Sequence, residues 1–491
     1  MKKSIMVQGT CSGAGKSITV AGLCRVFKQD GYRAAPFKSQ NMALNSYVTQ
    51  DGLEMGRAQV TQAECAGLEP DVRMNPILLK PTGDSGSQVV VNGRPIGDMT
   101  ATAYYEYKHQ LKPEILKAYD SLAGDYDVIV VEGAGSPAEI NLNQDDFVNM
   151  GLAAMIDAPV LLVGDIDRGG VFASLYGTVN LLPQADRARI KGLVINKFRG
   201  DQTILKPGLD MLEDLVHVPV LGVVPLISLD IDDEDSLSER LHAKHEKGLI
   251  DIAVIRLPRI SNFTDFNILD GVPHVSLRYV DTATALNDPD LIILPGTKNT
   301  MSDLLWLRQN GLEAAIQAHA SRGKPVFGIC GGYQMLGRLI RDPDQMEGGG
   351  EIAGMGLLSG ETCFGREKER KRVTGVFQSI PGDLSLLSGQ AFEGYEIHMG
   401  GTEGTGEPLI LCRGEGREYA AGERKGNVAG CYVHGVFDRA AESLVRSLCA
   451  AKGITMDVPD MKSRKEREYD KLADCIRNHI DMNAVYQILG R

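Results

Sequence analysis

Short apolar runs punctuate the chain at Ile5–Val7, Val128–Val131, Val160–Val163, Gly192–Ile195, Val220–Val224, Ile252–Ile255, Leu291–Leu294 and Val326–Ile329. Each gives way to a glycine or polar turn and then to a helical stretch. Runs that are apolar on both faces and alternate with helices predict parallel sheets covered on both sides. The fold class is therefore α/β, with doubly wound, mainly parallel sheets.

The pattern breaks near Leu229–Gly248, where Asp230-Ile231-Asp232-Asp233-Glu234-Asp235 leads into a charged helical stretch. A new strand then starts at Asp251–Arg256. This predicts a first domain over 1–228, a linker over 229–249 and a second domain over 250–440. Residues 441–491 turn helical and polar and read as a C-terminal helical extension. Gly348–Gly350 and the charged Arg366–Arg372 read as surface loops of the second domain.

Composition narrows the function classes. The 491 residues are 43% hydrophobic and 24% charged, ordinary for a soluble enzyme. With 52 basic and 64 acidic residues the formal charge is −12, which argues against nucleic acid or an anionic membrane as the main partner. No apolar run approaches the ~18 residues of a membrane span. Nine scattered cysteines with no C-x-x-C pair argue against a disulfide framework or a structural zinc site, and for the cytoplasm. Met1-Lys2-Lys3 runs into a strand and a glycine-rich turn, so no secretory signal is expected. A homo-oligomer is compatible with all of this.

The first strand opens into Gly9-Thr10-Cys11-Ser12-Gly13-Ala14-Gly15-Lys16-Ser17, a phosphate-binding loop one residue longer than usual. Gly13 and Gly15 let backbone N–H groups turn inward around phosphate oxygens ahead of a helix N-terminus. Lys16 can neutralise the β- and γ-phosphates of ATP, and the Ser17 hydroxyl can ligate Mg²⁺. Lys38, Glu132, Asp165 and Asp167 lie where strands end, the ligand-binding edge of such sheets. Glu132, in Glu132-Gly133-Ala134-Gly135, is a second candidate metal contact, and Asp51 a third.

In the second half, Val326-Phe327-Gly328-Ile329-Cys330-Gly331-Gly332 places a cysteine in a tight strand-to-helix turn, a nucleophile elbow. His434, in Gly430-Cys431-Tyr432-Val433-His434-Gly435, is the candidate base. The amides of Gly296 and Gly331 are candidates for an oxyanion hole.

The long phosphate loop with Lys38 and Glu132-Gly133-Ala134-Gly135 resembles the dethiobiotin synthetases, which use ATP to turn a carboxylate into an acyl phosphate. That resemblance implies an adenine contact for Asn196. The Cys330 and His434 segments resemble class I glutamine amidotransferases, whose cysteine releases ammonia from glutamine. Their usual glutamate two residues past the histidine is replaced by Val436, leaving Glu396, Asp438 or no third member at all.

The segments Lys38-Ser39-Gln40-Asn41-Met42-Ala43-Leu44-Asn45-Ser46, Asp165-Ile166-Asp167-Arg168-Gly169-Gly170-Val171-Phe172, Leu294-Pro295-Gly296-Thr297-Lys298-Asn299-Thr300 and Tyr395-Glu396-Ile397-His398-Met399-Gly400 together resemble the cobyric acid synthase family. That resemblance implies glutamine and a corrinoid as partners. It also implies ATP-dependent amidation of the b, d, e and g carboxylates of adenosylcobyrinic acid a,c-diamide, giving adenosylcobyric acid. Ammonia made at Cys330 would need a path sheltered from water. Cobyrinic acid a,c-diamide synthase is the nearest alternative, disfavoured because Pro295-Gly296-Thr297 stands where that family has Pro-Gly-Gly.

Overall fold

The computed structural model describes residues 4–82, 86–142, 145–231, 248–414, 417–455 and 461–490, so most of the expected linker lies outside the described residues. The chain forms two compact units that are not sequential halves. The first takes Met1–Met42, Met55–Ile231 and Lys465–Arg491, the second Ala43–Glu54 and Asp232–Arg464.

In the first unit the apolar runs become β1 (Ser4–Gly9), β2 (Ala34–Phe37), β3 (Val128–Glu132), β4 (Val160–Asp165), β5 (Ile190–Phe198) and β6 (Val220–Pro225). They form one sheet in the order β6-β5-β4-β1-β3-β2, every pair parallel. All six residues of β1 are buried, as expected of a central strand covered on both faces. Helix α1 (Lys16–Gln29) follows the phosphate loop, and α2 (Arg57–Ala66) packs beside it.

The C-terminal helix α6 (Met461–His479) belongs to this unit from Lys465 onward. A Cβ placed on Gly22 of α1 would lie 2.5 Å from Ile476 Cγ1, so the glycine is what lets the two helices meet. Arg25, its side chain 7% exposed, donates to Asp470 at 2.9 Å and Glu466 at 2.8 Å. Tyr469, Leu472 and Ile476 share one core with Val20, Leu23 and Phe27.

The second unit has β7 (Ile250–Ile255), β8 (Val275–Val280), β9 (Leu291–Leu294), β10 (Val326–Ile329), β13 (Glu423–Lys425) and β14 (Val428–Cys431) in the order β8-β7-β9-β10-β14-β13. All of these pairs are parallel except the edge pair β13–β14. A second, largely antiparallel sheet contains β11 (Glu361–Phe377), β12 (Ala391–Glu403) and β15 (Val433–His434). It corrects one expectation: Arg366–Arg372 is not a loop but the middle of β11. An antiparallel strand can face water on one side, so a charged run fits it. Between β9 and β10 lies α4 (Thr300–Gln309), and α5 (Gly331–Leu336) follows β10.

Segment Ala43–Glu54 is held within this unit by its own polar contacts. Ser46 exchanges hydrogen bonds with Asn262 and accepts one from the Tyr395 hydroxyl. Glu54, fully buried, pairs with Lys368 at 2.8 Å. Among the described residues no helix is long and apolar enough to cross a membrane.

Candidate functional site

In the first unit, β1 ends at Gly9 and the loop turns over Gly13 and Gly15, at φ +73° and +100°. A Cβ on Gly15 would sit 1.9 Å from Asn196 Nδ2, so both its backbone angle and its neighbour exclude a side chain. Asn196, near the end of β5, donates to Ala14 O at 2.9 Å and so props the loop. Lys16 Nζ donates to Cys11 O and Gly135 O, each at 3.0 Å.

Glu132 closes β3 with its side chain fully buried. It accepts from Ser17 Oγ at 2.9 Å, from Lys38 Nζ at 2.8 Å and from Gln62 Nε2 at 2.5 Å. A buried carboxylate is tolerated only when paired and hydrogen-bonded, and here three donors meet that need. The structure thus brings together Ser17, Lys38 and Glu132. Gln62 was missed because a glutamine inside α2 carries no motif; its only signal is a second buried glutamine, Gln59, one turn before it on the same helix face. Asp51 lies on an exposed turn of the second unit. Among the described residues no cluster of three or more His, Cys, Asp or Glu side chains is placed to hold a metal.

In the second unit, Cys330 stands between β10 and α5 with φ +52° and ψ −113°, a strained conformation for a residue with a Cβ. Gly332 makes the turn feasible, since a Cβ there would fall 2.1 Å from Leu294 O. The thiol donates to Ile397 O at 3.6 Å and lies close enough to His434 to raise the proton affinity of the imidazole. Gly296 lies beside the imidazole, its Cβ position 3.0 Å from His434 Cε1, and Gly331 backs onto Thr297. The Tyr395 ring stacks on His434 with centroids 5.4 Å apart and planes at 20°.

His434 Nδ1 is 2.7 Å from Asp265 Oδ2, and Asp265 Oδ1 accepts from Gly435 N. The position beside Nδ1 is therefore filled by Asp265 and not by Glu396 or Asp438. Glu396 instead pairs with Lys371 at 3.1 Å, and its neighbour Tyr395 is the residue in register with His434. Val436, where the usual glutamate would be, sits in the apolar core. Burial alone would lower the His434 pKa, but the Asp265 carboxylate and the Cys330 thiol outweigh it and push the imidazole up to about 10. An imidazole held between a thiol and a carboxylate can take the proton from sulfur and, as the imidazolium, give it up again.

The sign of that shift yields a prediction. Asp265 favours the charged imidazole, so Asp265→Asn removes the main opposing charge and lowers the His434 pKa toward or below the ordinary ~6.5. Glutamine hydrolysis should fall about 10²–10⁴-fold. Its alkaline limb should move down in pH, measured as kcat against pH. An unchanged limb would mean that Asp265 does not set the protonation of His434.

Two family models match in tandem. Residues 5–237 match the CobQ/CobB/MinD/ParA nucleotide binding domain, and residues 251–442 the CobB/CobQ-like glutamine amidotransferase domain. The chain is 60% identical to the cobyric acid synthase of Ruminiclostridium cellulolyticum, covering 100% of this chain and 97% of that one. It is 55% identical to that of Lachnoclostridium phytofermentans, with 100% and 99% covered, and 53% identical to that of Streptococcus sanguinis, also with 100% and 99%.

Proposed function

The chain belongs to the cobyric acid synthase family and is a glutamine-hydrolysing carbon–nitrogen ligase with a nucleotide-binding P-loop domain, and from that premise we propose the following chemistry. The substrate is adenosylcobyrinic acid a,c-diamide, and the b, d, e and g carboxylates are amidated in turn. A carboxylate oxygen attacks the γ-phosphorus of ATP, the bond to the β-phosphate breaks, and an acyl phosphate and ADP result. Ammonia then attacks the acyl carbon, phosphate leaves with the electron pair of the broken C–O bond, and the nitrogen gives up one proton to it.

The observation that carries the ATP step is the buried meeting of Ser17, Lys38 and Glu132 beside the phosphate loop. The Ser17 hydroxyl and the Glu132 carboxylate offer the hard oxygen donors that suit Mg²⁺, which when bound would offset charge on the β- and γ-phosphates. Lys16 and the amides of Gly13 and Gly15 bind the phosphates, and Lys38 lies at the same edge. Asn196 is assigned to adenine on the pattern of related ATP-using synthetases.

The ammonia comes from Cys330. Its thiolate attacks the side-chain carbonyl carbon of glutamine, the amides of Gly296 and Gly331 hold the oxyanion, and His434 protonates the departing nitrogen. Water then cleaves the thioester to glutamate, with His434 taking the proton. Asp265 orients the imidazole throughout.

Incubation with the corrin a,c-diamide, ATP, Mg²⁺ and glutamine, followed by mass spectrometry, tests the reading. Four successive changes of OH to NH₂, each a loss of about one mass unit, are the expected result of four amidations. An unmodified corrin would sink it, and in a parallel incubation with cobyrinic acid, two amidations there with the a,c-diamide left untouched would favour a,c-diamide synthesis.

A further inference from the structure

One cation beside the phosphate loop has no part in the chemistry above. Strand β4 ends at Asp165, whose side chain is 2% exposed and which pairs with Lys197 Nζ at 2.8 Å. Asp165 also accepts from Asp167 N at 2.9 Å, which shapes the following turn. Gly169 and Gly170, at φ +78° and +70°, then carry the chain into helix α3 (Val171–Leu181). Arg168 rides on this turn.

Its guanidinium hangs over the exposed crest of the phosphate loop: a Cβ on Gly13 would be 3.7 Å from Arg168 Nη2. Lys16 and Lys38 donate to fixed protein oxygens nearby, and Arg199 pairs with Asp167 at 3.2 Å. Arg168 differs from them. It is 71% exposed, and its ion pair with Asp165 is a long 3.8 Å contact made through Nε. That contact aims the side chain and leaves the outer edge of the fork turned to the loop. A planar guanidinium suits two oxygens of one phosphoryl group better than a point charge does.

We propose that Arg168 is a catalytic residue that contacts the γ-phosphoryl group of ATP during its transfer, with Asp165 as the residue that positions it. This rests on the ATP-dependent acyl phosphate step proposed above. As the carboxylate O–P bond forms and the bond to the β-phosphate breaks, negative charge spreads over the equatorial and leaving oxygens. Arg168 neutralises that charge without giving up a proton.

The test uses the full-length enzyme with the corrin substrate and saturating ammonium, so that glutamine hydrolysis does not limit the rate, and follows ADP. Arg168→Ala should lower kcat about 10³-fold, the low end for an arginine that stabilises phosphoryl transfer, while KM for ATP moves far less. Arg168→Lys should recover part of the rate, and millimolar guanidinium ion should rescue Arg168→Ala, neither of which a purely structural role would produce. A wild-type enzyme that turns over beside an equally active Arg168→Ala overturns this inference alone, as does a loss confined to KM or one that guanidinium does not relieve. A wild-type enzyme that forms no ADP overturns the acyl phosphate reading and this inference with it.

Discussion

Cys330→Ala should lose glutamine-dependent amidation by about 10⁴–10⁶-fold, the range seen when a covalent nucleophile is removed. The same variant, given ammonium at a pH that supplies free ammonia, should still amidate the corrin. The two outcomes separate because the residues around Glu132 belong to the first unit and Cys330 to the second. The site favours alanine as a mild change: the thiol is nearly buried, and its removal leaves the φ +52° turn intact. Mass spectrometry of the corrin, with glutamate release measured in parallel, reads both. If ammonium supports no amidation in the variant, the assignment of ammonia production to the second unit and of carboxylate activation to the first is wrong.

Glu132→Gln should have the opposite signature, with amidation failing whichever nitrogen source is given while glutamine hydrolysis remains measurable. Two effects act together. The amide keeps an oxygen for Ser17 but withdraws the negative charge from Lys38, which is 6% exposed and paired with it at 2.8 Å. Breaking a buried ion pair from one side costs about 3–5 kcal/mol, because the other charge stays behind. Loss of the carboxylate at the phosphates should cost a further ~10²-fold or more in kcat. Glu132→Asp keeps the charge and separates the effects: it should hold the melting temperature nearer the wild type than Glu132→Gln while remaining slow. A Glu132→Gln enzyme that amidates at the normal rate with ammonium would remove Glu132 from the ATP site.

The central strands were legible because buried parallel strands must be apolar on both faces, and Ile5–Val7, Val160–Val163, Leu291–Leu294 and Val326–Ile329 all lie within strands. The phosphate loop and the Cys330 elbow were legible because each needs glycine at positions that a Cβ would block. Asp265 was not. It lies 169 residues before His434 in a short turn, Phe263–Phe266, where nothing local distinguishes a structural aspartate from one that meets an imidazole. Arg366–Arg372 misled because a run of charges looks solvated throughout, whereas pleating in β11 turns alternate residues to opposite faces. Nor does periodicity report which unit a segment joins, so Ala43–Glu54 and Lys465–Arg491 were placed by contacts the sequence does not print.

The docking of α6 onto α1 also sets a timetable for biosynthesis. Tyr469, Leu472 and Ile476 leave the ribosome only after the whole second unit has been translated. At about 5–20 residues per second, the Gly22 and Arg25 face of the phosphate-loop helix waits roughly twenty to ninety seconds without its cover. A gene cut at the acidic segment would make that wait permanent, unless the upstream piece carried the last turns of the chain along with it.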